Sequence, residues 1–98
     1  MSQLRFSWDS RKARSNESKH RVSFEEAQTV FFDEQALLLE DPDQSAAEER
    51  FLLLGLSSAV RALLVCHCVR EGGDLIRIIS ARRVTRGEER QYWERLRR

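Results

Sequence analysis

The side chains best suited to proton transfer and phosphate binding fall in two stretches of the chain. Lys19-His20 closes an N-terminal basic segment, and His67, Arg77 and Arg82 follow in the last third. An imidazole with its ordinary pKa of about 6.5 exchanges protons near neutrality. A guanidinium group is planar, always charged and able to hold a phosphate through two parallel hydrogen bonds. Arg82, Arg83 and Arg86 lie where the run Ile76-Arg77-Ile78-Ile79 gives way to a capped helix. Guanidinium groups therefore gather at a strand end, beside the unpaired N–H groups and positive dipole of a helix start. Tyr92 and Trp93 lie further along that helix, placed either to stack on nucleobases or to dock the helix on a sheet. Lys19 and His20 also suit the negative end of a helix dipole, the plain alternative to a role in chemistry.

Cys66-His67-Cys68 invites comparison with a metal site. Successive side chains of a strand point to opposite faces, so the two thiols share one face while His67 leaves from the other. No second ligand pair completes a tetrahedral set, and no metal or other cofactor is expected. What faces His67 depends on the hairpin at Glu71-Gly72-Gly73-Asp74. A two-residue turn pairs Arg70 with Leu75 and His67 with Ile78, leaving His67 on the face of Ser80 and Arg82. A three-residue loop pairs Arg70 with Asp74 and sets His67 opposite Arg77; its opposite-charge pair tips the balance slightly toward it. Either register gives His67 an arginine neighbour.

The elements that must position these groups are marked by local signals. Residues 4–8 alternate as a short strand, and Asp9 caps a helix over residues 10–19. Ser23-Phe24-Glu25-Glu26 reads as a capping box, with Val22 and Ala27 placed as a hydrophobic staple. The helix it opens carries Phe24, Ala27, Val30 and Phe31 on one stripe. Strands are expected over residues 36–40, 51–56, 63–69 and 75–81, with a turn at Asp41-Pro42-Asp43 and a polar loop over residues 44–49. Thr85 and Glu88 form a second capping box, opening a helix to about Leu96. The order β-α-α-β-β-β-β-α predicts an α+β fold, a small antiparallel sheet packed with two N-terminal helices and one C-terminal helix.

Ninety-eight residues with 41% apolar content fit one domain spanning residues 1–98. No apolar run approaches the roughly 20 residues of a membrane helix, and no signal-peptide core follows the N-terminus, so a cytoplasmic protein is expected. The net charge of +1 conceals a partition: residues 1–22 carry +4, residues 23–49 carry −9 and residues 50–98 carry +6. Fifteen of the 17 basic residues are arginine, which favours phosphate or nucleic-acid contacts. Glycine-rich phosphate loops, nucleophile elbows and His-Glu-x-x-His are absent.

These pieces, read in order, resemble the BrnT family of type II toxin–antitoxin toxins. The matching segments are Phe6-Ser7-Trp8-Asp9, Asn16 through Lys19-His20, Val22-Ser23-Phe24-Glu25-Glu26-Ala27 and Asp41-Pro42-Asp43. Glu49-Arg50-Phe51, Leu54-Gly55-Leu56-Ser57, Ile76 through Arg82 and Glu89-Arg90-Gln91-Tyr92 continue the match. The family usually has glycine after Lys-His, where this chain has Arg21.

The resemblance implies a RelE-like ribonuclease that inhibits translation. Its partner would be a BrnA-type antitoxin with a ribbon-helix-helix domain, and operator DNA would be met only through that complex. The implied chemistry is metal-independent: the RNA 2′-OH attacks the adjacent phosphate. Arg77 and Arg82 would then hold phosphoryl oxygens, His67 or His20 would move protons, and Lys19 would assist electrostatically. Arg50, Arg83, Arg86 and Tyr92 are the expected RNA-binding residues. The alternative is a catalytically inactive interaction module that acts with its antitoxin as a co-repressor.

Overall fold

A computed structural model describes residues 4–42 and 49–96. Its elements follow the expected order: β1 (Arg5–Ser7), α1 (Ser10–His20), α2 (Phe24–Thr29), β2 (Leu37–Glu40), β3 (Phe51–Leu56), β4 (Ala62–Arg70), β5 (Leu75–Arg83) and α3 (Arg86–Arg95). A 3-10 turn, Val30–Phe32, extends α2, and another spans the hairpin at Glu71–Gly73. Most of the polar loop expected over residues 44–49 lies outside the described residues.

The caps explain the boundaries. The Asp9 carboxylate accepts from the backbone N–H groups of Arg11 and Lys12, starting α1. That helix ends at Arg21 in the left-handed conformation (φ 60°, ψ 32°), where the Arg21 N–H donates to the Glu17 carbonyl. The Ser23 hydroxyl accepts from Glu26 N at 3.0 Å, but the expected capping box is only half made. The Glu26 carboxylate turns instead to Arg61 and to the Ser57 hydroxyl, pinning α2 to the β3–β4 hairpin. At Thr85 and Glu88 the box is complete.

Five strands form one sheet in the order β1-β5-β4-β3-β2. The β2–β3–β4–β5 meander is antiparallel as expected, whereas β1 adds in parallel beside β5, giving a mixed sheet. Alternation was legible in residues 4–8; a partner some seventy positions away was not.

Helices α1 and α2 cover one face over a core that includes Val22, Phe24, Leu63, Val65, Ile78 and Ala81. Helix α3 covers part of the other face, where Tyr92 packs on Leu54 and Leu64. The Tyr92 hydroxyl donates to Asp33 Oδ2 at 2.7 Å, and the same oxygen accepts from Leu56 N at 2.8 Å. Gly55 is required here, since a Cβ would sit 3.0 Å from Asp33 Oδ2, the Ala36 Cβ and the Val30 Cγ1.

The β4–β5 register corrects the favoured expectation. Arg70 pairs with Leu75 and His67 with Ile78, so the two-residue register holds near the turn. Cys66 then pairs with Ser80, leaving Ile79 as an extra residue on β5. Before it, Ile76 and Ile78 face the helices; beyond it, that role passes to Ala81. Ser80 and Arg82 therefore point to the face opposite His67, and neither register's arginine neighbour is found there.

Candidate active site

Helix α3 leaves part of its face open. There the strands form a cleft of about 410 Å³, with Leu52, Leu64 and Cys66 among its lining residues. Asp41, Pro42 and Arg50 contribute from the mouth of the β2–β3 hairpin, where Asp41 N donates to the Arg50 carbonyl. Ile79 through Arg82 contribute from β5, Glu88 from the first turn of α3, and His20 from the last turn of α1. Guanidinium, imidazole, carboxylate and hydroxyl groups thus share one concave surface.

Arg82 is held by a two-pronged ion pair. Nη1 donates to Glu88 Oε1 at 3.0 Å and to the Arg83 carbonyl at 3.1 Å, and Nη2 donates to Glu88 Oε2 at 2.9 Å. Each partner keeps the other charged. Hydrogen bonding from Arg82 holds the Glu88 carboxyl below its ordinary range against the opposing effect of burial, and Glu88 pushes the Arg82 pKa up. Glu88 Oε1 also accepts from Thr85 N at 2.8 Å, so one carboxylate caps α3 and orients the arginine. Cys66 donates toward Asp41 Oδ2 at 3.6 Å. Burial first, and then the Asp41 charge, pushes its thiol up to about 11, which keeps it a neutral lining group.

Of the residues expected to act, the cleft gathers Arg82, Arg50 and His20. His67 does not join them. It is 2% exposed on the helix-facing side, its ring edge-on to Phe31 at 4.8 Å and its Nδ1 3.2 Å from the Val65 carbonyl. Burial lowers its pKa, consistent with a neutral core imidazole. Arg77 lies opposite Cys68 and beside Ser7, five positions before Arg82 and roughly 16 Å away at strand spacing. Arg82 lines the cleft, and Arg77 does not.

Lys19 is exposed at the end of α1, outside the cleft lining, and Arg86 is exposed at the start of α3. Arg83 lines a separate groove with Arg61 and Glu89. Tyr92 is 1% exposed and bonded to Asp33, so it cannot stack on a base; neighbouring Trp93, 42% exposed, is the accessible aromatic of α3. The sequence reading passed over Glu88, taken only as a cap, and Asp41, taken only as a turn. Pairing Glu40 with Phe51 across the β2–β3 hairpin would have set Asp41 beside Arg50. Among the described residues, no group of three or more His, Cys, Asp or Glu side chains is placed to hold a metal ion, and no helix is long and apolar enough to cross a membrane.

One open sheet face thus carries a buttressed arginine, a second arginine, an imidazole and two carboxylates. The family model described as "Ribonuclease toxin, BrnT, of type II toxin-antitoxin system" matches residues 8–88, and the chain belongs to that family. It is a ribonuclease toxin whose substrate is RNA and whose partner is an antitoxin. The crystal structure of the Brucella abortus ribonuclease toxin BrnT is similar in fold, with a TM-score of 0.63 at 19% identity, covering 86% of this chain and 100% of that one. No curated protein matches significantly.

Proposed function

We propose that the cleft cleaves RNA without a metal ion, through attack of a 2′-OH on the adjacent phosphorus. The observation that carries this reading is the convergence of Arg82, Arg50 and His20 on one cleft of about 410 Å³. Arg82, kept in orientation by Glu88, and Arg50 bind the non-bridging oxygens and favour the charge that builds there in the transition state. His20 takes the 2′-OH proton as the 2′-oxygen–phosphorus bond forms. The phosphorus–5′-oxygen bond breaks, and the departing oxygen takes a proton from water at the open mouth of the cleft. The products are a 2′,3′-cyclic phosphate and a 5′-hydroxyl. Arg86, exposed two residues before Glu88, and Lys19, exposed next to His20, extend the phosphate-binding surface.

Membership of the family supports a BrnA-type ribbon-helix-helix antitoxin as the partner, action in the cytoplasm, and contact with operator DNA only through the complex. The test is cleavage of a defined RNA by antitoxin-free protein in EDTA, with analysis of fragment ends. Cyclic phosphate ends are expected, with rates lowered about 10²–10³-fold in Arg82→Ala and strongly in His20→Ala, while Arg77→Ala stays near the parent. Cleavage abolished by EDTA would end the metal-free mechanism. Full activity in folded Arg82→Ala and His20→Ala would end the site assignment.

A further inference from the structure

We infer that Asn16 is a positioning residue for cleavage, locking the α1 wall of the cleft to its β5 wall; this rests on the site proposed above. Strand β1 stops at the pairing of Ser7 with Arg77, while β5 continues to Arg83. Among the described residues, the outer edge of β5 beyond Arg77 therefore lacks a strand neighbour, and Ala81 turns both its backbone groups toward that edge. The Asn16 side chain takes the place of the missing peptide. Its Oδ1 accepts from Ala81 N at 3.1 Å, and its Nδ2 donates to the carbonyls of Ala81 and Val22, each at 2.9 Å.

Asparagine is a poor choice for the interior of α1 on propensity, and a buried amide is costly unless its bonds are made. Asn16 is 7% exposed and makes both bonds of a strand partner, which an apolar residue there could not. What the amide holds is the peptide between the cleft residues Ser80 and Arg82. One helical turn on from Asn16, at i+4, stands His20, the imidazole that α1 brings to the cleft. The Asn16 amide thus ties the helix that carries the proton acceptor to the strand that carries the guanidinium. A displacement of about 1 Å in such a pair can cost about 100-fold in rate.

The experiment compares Asn16→Asp with Val30→Ala, a core substitution on the helix-covered face, and measures kcat and KM for a defined RNA per folded molecule. Asn16→Asp keeps the shape and the acceptor for Ala81 N but loses both donated bonds. The expected result is a kcat lowered at least about tenfold toward the 100-fold scale of misplaced groups, with KM little changed; Val30→Ala should retain parental kcat. If Asn16→Asp does not fold, Asn16→Ser, which keeps one hydroxyl for Ala81, carries the same comparison. Hydrogen exchange of the unmodified protein adds an independent reading: the Ala81 amide should be strongly protected. A parental kcat in the folded Asn16 variant, or an Ala81 amide exchanging like a free peptide, overturns the inference. Cleavage that survives Arg82→Ala and His20→Ala would instead overturn the site itself.

Discussion

Replacing Arg21 with glycine should stabilise the protein, and the size of the gain follows from one pair of dihedral angles. Arg21 sits at φ 60° and ψ 32°, where a side chain crowds its own backbone at about 1–2 kcal/mol. Glycine removes that cost but brings a more disordered unfolded chain, returning about 0.4–1 kcal/mol. The tertiary bonds at this position are made by its backbone: the N–H to Glu17 and the carbonyl to Arg61 Nη2 at 3.1 Å. Both survive the substitution. The net expectation is a gain of about 0.5–1 kcal/mol, or a Tm higher by about 2–8 °C in a domain of this size. Thermal and urea unfolding of Arg21→Gly against the parent check it, with the urea slope unchanged. A variant that melts lower would show that the Arg21 side chain contributes more than its backbone strain costs. The reasoning from left-handed geometry would then fail.

Tyr92 is the chain's one tyrosine, so tyrosinate absorbance reports on it alone. Burial and the bond to Asp33 raise its pKa from 10.0 to about 12, so its share of stability is complete below pH 10 and is lost as pH rises through the folded value. An alkaline titration should place the midpoint near 12, Tyr92→Phe should cost about 1–2 kcal/mol, and a midpoint near 10 in folded protein would contradict the packing of α3. Glu26 behaves oppositely: hydrogen bonds from Arg61 first, and then from Ser57, hold its carboxyl below 4.5 against burial. Its contribution is present above that value and is lost as pH falls through the lower folded pKa. Glu26→Gln should therefore flatten the acid limb of stability measured by urea unfolding, and an unchanged slope would dismiss the Glu26–Arg61 pin as its source.

Helix and strand boundaries were legible because their signals are local. Asp9, Ser23 and Thr85 announce their helices within a few residues, and the apolar periods follow directly. The parallel pairing of β1 was not legible, since no local pattern names a partner across the chain. The site was half legible. Residue type singled out Arg82, Arg50 and His20, which share one cleft, whereas the register of β5 keeps His67 and Arg77 out of it. That slip did leave a trace: Ile76 and Arg77 alternate, then Ile78-Ile79 doubles the apolar beat before Ser80. A doubled beat in a strand signals a change of phase. Tyr92 was misassigned because aromatic residues serve stacking and packing equally well, and only burial separates the two.

The extra residue at Ile79 behaves like a letter inserted in a message read two letters at a time. Upstream, the even letters of β5 spell the core; downstream, the odd ones do. The meaning of Arg82 therefore depends less on its own identity than on whether the strand absorbs that extra letter. Point substitutions on this strand alter single words. Loss of one residue between Ile78 and Ala81 would instead merge the two frames: a single residue would separate the pair, Ala81 would still lie opposite Val65, and Arg82 would still lie opposite Leu64 on the cleft face.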